Sequence, residues 1–209
     1  MNGLNAKSVL APAAVLLVIC ILVSAALAGT NLLTRDRIAE AAAQKAEESR
    51  MVVLPGAESF EERDGHYVGL DGSGNSVGYV FETEGKGYGG SVNVMTGIST
   101  DGSITGVVLL SHGETPGLGA NAEKESFRDQ YKGQPAANLA GGISVVKFQT
   151  PKEGEIQAMT GATITSTAVT NAVNAAIEQY QNAYQSEGDW KQVALSFKPS
   201  VIKSQEGDA

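Results

Sequence analysis

The sequence has little of what metal sites and disulfides require. It contains one cysteine and two histidines in 209 residues. Cys20 lies inside a long apolar run, so the rest of the chain has no thiol with which to form a disulfide. A zinc site needs at least three ligands, whereas His112 and Glu114 supply two and His66 has no partner in any metal-binding pattern. The sequence therefore predicts no bound metal.

The chain is also poor in basic residues and lacks the usual nucleotide-binding motifs. Its 15 Lys and Arg are outnumbered by 23 Asp and Glu, which gives a net charge of −8 and argues against nucleic acid as a partner. The glycine cluster "EGKGYGG" at 84–90 matches neither the dinucleotide fingerprint nor the phosphate loop. Glycine there would let a flat ligand or another backbone approach, and Tyr88 could stack on it.

Charge is absent altogether from residues 8–34, "SVLAPAAVLLVICILVSAALAGTNLLT". About 20 apolar residues span a bilayer, so residues 1–34 are predicted to form a transmembrane anchor. A cleaved secretory signal is the competing interpretation, because "ALA" at 26–28 has the form of a cleavage site. Basic residues on both flanks leave the orientation undecided by charge, but export of the hydrophilic C-terminal part is the usual arrangement.

The composition after the anchor predicts a helix and then a sheet. Residues 35–55 are rich in Ala, Glu and Lys and predict a helical lead-in that ends before Pro55. More than half of the 25 glycines lie between residues 65 and 119, among short β-branched runs typical of antiparallel strands. Asp71-Gly72 and Asp101-Gly102 are hairpin signals, and the second is predicted to join residues 91–99 to residues 104–111.

Helical periodicity returns in the second half of the chain. A short amphipathic helix is predicted at 122–133, strands at 143–150 and 192–198, and a polar tail at 201–209. After residue 167, apolar residues recur at helical spacing, with Thr170 among the residues on the polar face. The predicted fold class is α+β: an antiparallel sheet with packed helices, preceded by one N-terminal transmembrane helix.

Two segments carry the polar groups that could bind a ligand. In "SHGETPGLG" at 111–119, a ligand-binding loop and a plain turn set by Pro116 and Gly117 are equally compatible with the residues. A hydrolase built on Ser111, His112 and Glu114 is disfavoured, because neighbours in a strand point to opposite faces and the nucleophile elbow is missing.

The second segment, "MTGATITST" at 159–167, has five hydroxyl groups and no charge, immediately before a helix. Backbone N–H groups and the positive helix end favour an anion there. The alternative is a simple N-cap by Thr165 or Ser166, which explains one hydroxyl and leaves Thr160, Thr163 and Thr167 without a role.

These motifs carry a resemblance to a known family. "MTGATITST" resembles the flavinylation motif of the FMN-binding domain family. The segments "GYGGSVNVMTGISTDGSITGVVLLSHGETPGLG" and "FRDQYKG" resemble the RnfG subunits of Rnf electron-transport complexes, relatives of the C subunit of the sodium-pumping NADH:quinone oxidoreductase. The resemblance extends over nearly the whole chain, and it implies that residues 56–200 form an FMN-binding domain.

The resemblance implies a covalent cofactor and a set of residues around it. FMN would be joined through its phosphate to the hydroxyl of Thr163 as a phosphoester, placed there by a separate flavin transferase that uses FAD. The chain departs from the family at Gln157, where the motif often has Asp six residues ahead of the acceptor. The other residues implied to bind the cofactor are Thr160, Gly161, Ala162, Thr115, Leu118, Gly87, Tyr88 and Glu114.

The function implied is electron transfer within an Rnf-type complex that couples ferredoxin and NAD redox chemistry to ion movement. The FMN domain would lie on the extracytoplasmic side of the cell membrane, and the subunit would need no catalytic acid, base or nucleophile of its own. One alternative is a stand-alone extracellular flavoprotein with covalent FMN. Another is an anchored binding domain without a cofactor, in which residues 159–167 are only a helix cap.

Overall fold

The computed structural model describes residues 6–136 and 141–196. The chain divides into two compact units, residues 1–47 and 48–209. The helices are α1, Ala6–Val53; α2, Glu125–Arg128; and α3, Thr163–Ser196. The strands are β1, Ser59–Arg63; β2, His66–Leu70; β3, Ser76–Lys86; β4, Ser91–Ser99; β5, Ile104–Ser111; β6, Ser144–Val146; and β7, Glu155–Gln157.

The first unit is formed by most of helix α1, which continues into the second unit and ends two residues before Pro55. Among the described residues, α1 alone is long and apolar enough to cross a membrane. The large apolar side chains along its first half are exposed, as expected for a helix in contact with lipid. Residues 6–34 of the predicted anchor and residues 35–53 of the predicted lead-in therefore belong to one continuous helix.

The second unit is built on a five-stranded antiparallel sheet in the order β1-β2-β3-β4-β5. Each neighbour along the chain is also a neighbour in the sheet, because short turns suffice between antiparallel strands. The carboxylates of Asp71 and Asp101 accept backbone N–H groups within the β2–β3 and β4–β5 turns. Both predicted hairpins are confirmed, and β4 and β5 have the predicted bounds.

Helix α3 packs on one face of the sheet and completes the main core. Its apolar stripe includes Val169, Val173 and Tyr180, whose ring makes edge contacts with Tyr79 and Phe81 of β3. The amphipathic helix predicted after residue 167 is confirmed, and so is the α+β fold class.

The last turn of α1 covers part of the opposite face of the sheet. The backbone of Val53 lies directly against Gly97 of β4 and Gly106 of β5, and the hydroxyl of Thr105 donates a hydrogen bond to the Val53 carbonyl. Arg50 stacks over the ring of Tyr67, with its guanidinium carbon 3.8 Å from the ring centroid. Glycine is required at position 97, where an added Cβ would collide with the Val53 carbonyl oxygen, whereas a Cβ at position 106 would make a tight contact of 3.0 Å with the Val53 α-carbon.

Four expectations need correction. The segment 122–133 is not one helix but a 3-10 turn, the short helix α2 and a second 3-10 turn. The strand predicted at 143–150 is only Ser144–Val146, and it pairs in parallel with β7, which sequence analysis missed. Residues 192–196 of the predicted last strand belong to α3, and residues 197 and 198 lie outside the described residues. Thr170 is buried, and its hydroxyl lies 2.8 Å from that of Tyr131.

Candidate functional site

Three loops that are distant in sequence meet around one pocket. The pocket has a volume of about 530 Å³, within the range typical of small-molecule sites. It lies between the β3–β4 turn, the loop after β5 and the first turn of α3. Its lining consists of Tyr88, Glu114, Thr115, Leu118, Gly119, Gly161, Ala162, Thr163, Ile164 and Thr165.

The turn before α3 presents Thr163 at the first position of the helix. Gly161 has a φ of 77°, which glycine adopts readily, and the N–H of Ala162 donates to the carbonyl of Met159 at 3.1 Å. Thr163 is half-buried, and among the described residues its hydroxyl has no hydrogen-bond partner. The backbone N–H groups of residues 163–165 precede the first helical hydrogen bond, which Ser166 donates to the carbonyl of Ala162, so the site offers donors to an anion.

Two of the neighbouring hydroxyls, those of Thr165 and Ser166, have partners within the protein. Ser166 Oγ accepts the N–H of Met159 at 3.0 Å and donates to the carbonyl of Ala162 at 3.0 Å. Thr165 Oγ1 donates to Glu114 at 2.6 Å. Because α3 begins at Thr163, Thr165 and Ser166 lie inside the first turn, and neither is the N-cap that the alternative interpretation assigned to one of them.

Glu114 connects the three loops. Its side chain is 7% exposed; Oε2 accepts the Thr165 hydroxyl at 2.6 Å, and Oε1 accepts the backbone N–H of Gly89 at 3.0 Å. Burial raises the pKa of the carboxyl, but the bonds from Thr165, Gly89 and the Tyr88 backbone, together with His112, more than offset this and lower the pKa below its usual range. Glu114 is therefore a buried carboxylate anion at neutral pH.

Glycine on both sides of this carboxylate leaves the space that its two oxygens occupy. A Cβ at Gly87 would collide with Oε1 of Glu114, and a Cβ at Gly119 would collide with Oε2 and lie 2.6 Å from Oγ1 of Thr165. Gly89 packs its α-carbon against the carbonyl of Gly113. The glycine clusters at 87–90 and 113–119 thus allow the two loops to close around one side chain.

An exposed apolar rim surrounds Thr163. The side chains of Tyr88, Leu118 and Ile164 are 75%, 49% and 56% exposed, although residues of these types are usually buried. Clustered exposed apolar side chains next to a pocket are typical of a ligand or partner site. Sequence analysis missed Ile164, Gly119 and Thr165 as pocket residues, although Ile164 is the one β-branched aliphatic residue in the hydroxyl-rich motif.

Two of the residues implied by the resemblance lie outside this lining. Thr160 is exposed and lines an adjacent groove of about 360 Å³ that also contains Lys124 and Gln157. Gly87 is not part of the lining, but it lies close to Oε1 of Glu114, which is. The pocket lining includes the remaining members of that set, which are Thr163, Gly161, Ala162, Thr115, Leu118, Tyr88 and Glu114.

The backbone of Gln157, where the chain departs from the family motif, is held by another side chain. Its N–H donates to Oε1 of Gln130 at 2.8 Å, and its carbonyl accepts from Nε2 of the same residue at 3.4 Å. The Gln157 side chain itself is exposed at the edge of the groove.

His112, in the segment 111–119, contacts other groups of the protein through both ring nitrogens. Nδ1 of His112 accepts the backbone N–H of Glu114 at 3.2 Å, and Nε2 lies 3.2 Å from a carboxylate oxygen of Glu123. Ser111 is engaged by Asn93 at 2.8 Å, so the three residues considered for a hydrolase do not form a relay. Across residues 6–136 and 141–196, no group of three His, Cys, Asp or Glu side chains could hold a metal ion.

Comparison with known proteins gives the class to which this fold and pocket belong. The family model for the FMN-binding domain matches residues 87–178, and that for the RnfG N-terminal region matches residues 1–50. In fold, the chain is similar to the crystal structure of NqrC from Shewanella oneidensis, with a TM-score of 0.52, 23% identity, and coverage of 66% of this chain and 73% of NqrC. The class is that of FMN-binding domains with a membrane-anchoring N-terminal region.

Two curated relatives define the family more closely. The G subunit of the Na⁺-translocating ferredoxin:NAD⁺ oxidoreductase complex of Acetobacterium woodii is 41% identical over 190 residues, which cover 80% of this chain and 89% of that relative. The G subunit of the proton-translocating complex of Clostridium ljungdahlii is 37% identical over 167 residues, covering 78% and 87%. The chain belongs to the RnfG family, and this membership favours a flavoprotein over a binding domain without a cofactor.

The residues present fit FMN. The apolar rim offers surfaces for the flat ring, and the first turn of α3 offers N–H donors for the phosphate. The half-buried hydroxyl of Thr163 lies between these two features.

Proposed function

We propose that this chain is the membrane-anchored FMN subunit of an Rnf-type ion-translocating ferredoxin:NAD⁺ oxidoreductase complex, with FMN joined through its phosphate to Thr163. Membership in the RnfG family and the apolar helix α1 support the subunit and its anchor. One observation supports Thr163 as the attachment site. Thr163 is half-buried in the pocket, and its hydroxyl has no hydrogen-bond partner among the described residues, whereas the hydroxyls of Thr165 and Ser166 are hydrogen-bonded within the protein.

The attachment is a phosphoryl transfer from FAD, carried out by a flavin transferase. The oxygen of Thr163 attacks the phosphorus of the FMN half of FAD, a new O–P bond forms, and the pyrophosphate bond breaks. AMP leaves, and the hydroxyl proton passes to a base of the transferase, so no oxidant or reductant is consumed. The resulting phosphodiester carries one negative charge, which the N–H groups at the start of α3 are suited to accept.

The pocket residues then position the ring. FMN supplies the ability to accept and donate one or two electrons. Tyr88, Leu118 and Ile164 would hold its apolar surfaces, and because these side chains are exposed, the ring would be accessible to neighbouring redox centres in the complex. A covalent link suits a domain on the extracytoplasmic side of the membrane, where a dissociated cofactor would be lost.

The test is flavin attachment to the full-length chain. The protein is co-expressed with a flavin transferase, and the denatured chain is assayed by in-gel flavin fluorescence and by mass. The wild type is expected to fluoresce and to carry the added mass of an FMN phosphoester, and Thr163→Ala is expected to lose both signals. Thr160→Ala, which removes an exposed hydroxyl three residues earlier, is expected to keep both.

The outcomes separate the parts of the proposal. Fluorescence that persists in Thr163→Ala would overturn the choice of acceptor while retaining the covalent flavin. A wild-type chain with neither signal would overturn the covalent attachment.

A further inference from the structure

Glu114 is a buried ionised group for which the proposed electron transfer has no direct use. It donates no proton to a reaction and is not the attachment point, yet its carboxylate is almost completely removed from water. Burial of a charge is costly unless hydrogen bonds replace hydration. Both carboxylate oxygens have such bonds, one to the β3–β4 turn and one to α3.

We propose that Glu114 is a positioning residue for the flavin site: its carboxylate fixes the turn that carries Tyr88 and the loop that carries Leu118 relative to the first turn of α3. This inference rests on the proposed function, because the geometry that it sets is that of the FMN pocket. Glu114 thereby acts through Tyr88, Leu118 and Thr163, which line the pocket and would hold the cofactor.

The bonding pattern leaves few other arrangements of the loops. Gly89 follows Tyr88 directly, so the bond from its N–H to Oε1 holds the backbone next to that ring at 3.0 Å. Thr165 lies two residues after Thr163, and its bond to Oε2 at 2.6 Å holds the helix start. The loop containing Leu118 begins at Glu114 itself and returns against its side chain at Gly119.

The glycines around the carboxylate support the same interpretation. Gly87 and Gly119 contact its two oxygens so closely that no side chain could be added at either position without moving Glu114. A carboxylate that only satisfied a local turn would not need close contact with two separate glycine loops. Its tight enclosure indicates a fixed position.

The charge of Glu114 has a second effect on a cofactor in the same pocket. Glu114 lines the pocket, and a negative charge disfavours the addition of further negative charge nearby, especially where water is excluded. Reduction adds electrons to the flavin. The carboxylate is therefore expected to lower the reduction potential of bound FMN, and its removal is expected to raise that potential.

The experiment uses the full-length chain co-expressed with a flavin transferase. The variants are Glu114→Gln, which keeps the shape and removes the charge, and Thr165→Val, which removes the hydroxyl on the other side of the bond. The matched control is Glu123→Gln, which removes an exposed carboxylate outside the pocket lining, and Thr165→Ser, which retains a hydroxyl, tests for rescue of the Thr165→Val defect. Three quantities are measured: the rate of covalent loading, the fluorescence anisotropy of the attached flavin, and its midpoint potential.

Loading is expected to slow roughly tenfold in Glu114→Gln and Thr165→Val, as expected for the loss of one hydrogen bond to a charged group. The attached flavin is expected to show lower anisotropy in both variants and a higher potential in Glu114→Gln. Glu123→Gln is expected to match the wild type in all three measurements, and Thr165→Ser is expected to restore the loading rate and anisotropy that Thr165→Val loses. If Glu114→Gln fails to fold, loading and anisotropy in Thr165→Val against Thr165→Ser decide the outcome.

Failure of the positioning role and failure of the proposed function give different results. Wild-type loading with normal anisotropy and potential in both Glu114→Gln and Thr165→Val overturns the positioning role and leaves the proposed function intact. A wild-type chain that takes up no flavin overturns the proposed function, and with it this inference.

Discussion

At the scale of single residues, Glu114 keeps a negative charge in a nearly dry position because donors replace water around it. The hydroxyl of Thr165 and the N–H of Gly89 bond the ionised form, so the protonated form would lose part of this bonding. Folding therefore favours the carboxylate, and the stability of the domain is linked to pH.

The pH dependence follows from the direction of the pKa shift. The pKa of Glu114 is lower in the folded chain than its ordinary value of 4.5, so its stabilisation is fully present above pH 4.5 and is lost as the pH falls through the folded value. We expect the wild type to exceed Glu114→Gln in free energy of unfolding by about 1 to 3 kcal/mol at pH 7. This difference is expected to shrink below a pH of about 4.5.

Chemical denaturation of both proteins in detergent between pH 7 and pH 3, followed by circular dichroism, measures the difference. The pKa values of Asp71 and Asp101 are also lowered, chiefly by the backbone N–H of Asn75 and by the hydroxyl of Ser99 respectively. Both groups are present in both proteins, so their contributions cancel in the comparison. A difference that stays constant over this pH range would contradict the assignment of a stabilising charge to Glu114.

The sequence revealed the chemical types of the pocket residues better than their contacts. Thr163 and the glycine clusters stand in local motifs that can be read directly. The bond between Glu114 and Thr165 joins residues 51 positions apart, and no local pattern signals such a pair. The start of α3 also determines which hydroxyls of residues 159–167 bond within the protein and which face the pocket. Helix boundaries are the least certain part of a sequence-based assignment.

At the scale of elements, the parts that were predicted correctly have strong local signals. The hairpins follow from Asp-Gly turns between alternating strands, and α3 follows from a long apolar stripe. The parallel pair β6–β7 has three residues in each strand and a long connection, so neither periodicity nor a turn identifies it. The segment 122–133 breaks into short turns that periodicity alone cannot distinguish from one helix.

The contact between the last turn of α1 and the sheet gives a prediction for Gly97. An added Cβ at this position would collide with the carbonyl oxygen of Val53, and a helix backbone cannot yield as a flexible side chain can. We expect Gly97→Ala to lower the free energy of unfolding by about 2 kcal/mol or more, through overpacking between two backbones. Chemical denaturation in detergent, monitored by circular dichroism, measures this loss.

Gly56→Ala is the matched control, because a Cβ there meets no atom within 4 Å and the backbone needs no positive φ. It is expected to leave stability unchanged or slightly increased. Equal stabilities for Gly97→Ala and Gly56→Ala would show that the end of α1 is not held tightly against the sheet.

At the scale of the whole molecule, the charges divide the chain into two parts. Lys7 is the only charged residue before position 35, and all the others follow the uncharged run. Such a chain places an apolar helix in the bilayer and leaves the charged domain in water on one side. The basic residues on both flanks of the span do not decide which side that is.

Cysteine labelling tests the proposed extracytoplasmic location of the FMN domain. The native Cys20 lies in the span and is replaced in a Cys20→Ser background. Glu62→Cys then places a thiol on an exposed position of β1, and Lys7→Cys places one before the span. In intact spheroplasts, a membrane-impermeant maleimide is expected to label position 62 and not position 7, because the bilayer separates them; after permeabilisation, it is expected to label both. Labelling of position 7 alone in intact spheroplasts would show the opposite orientation. Recovery of a labelled chain that lacks residues 1–28 would show that the apolar segment is a cleaved signal.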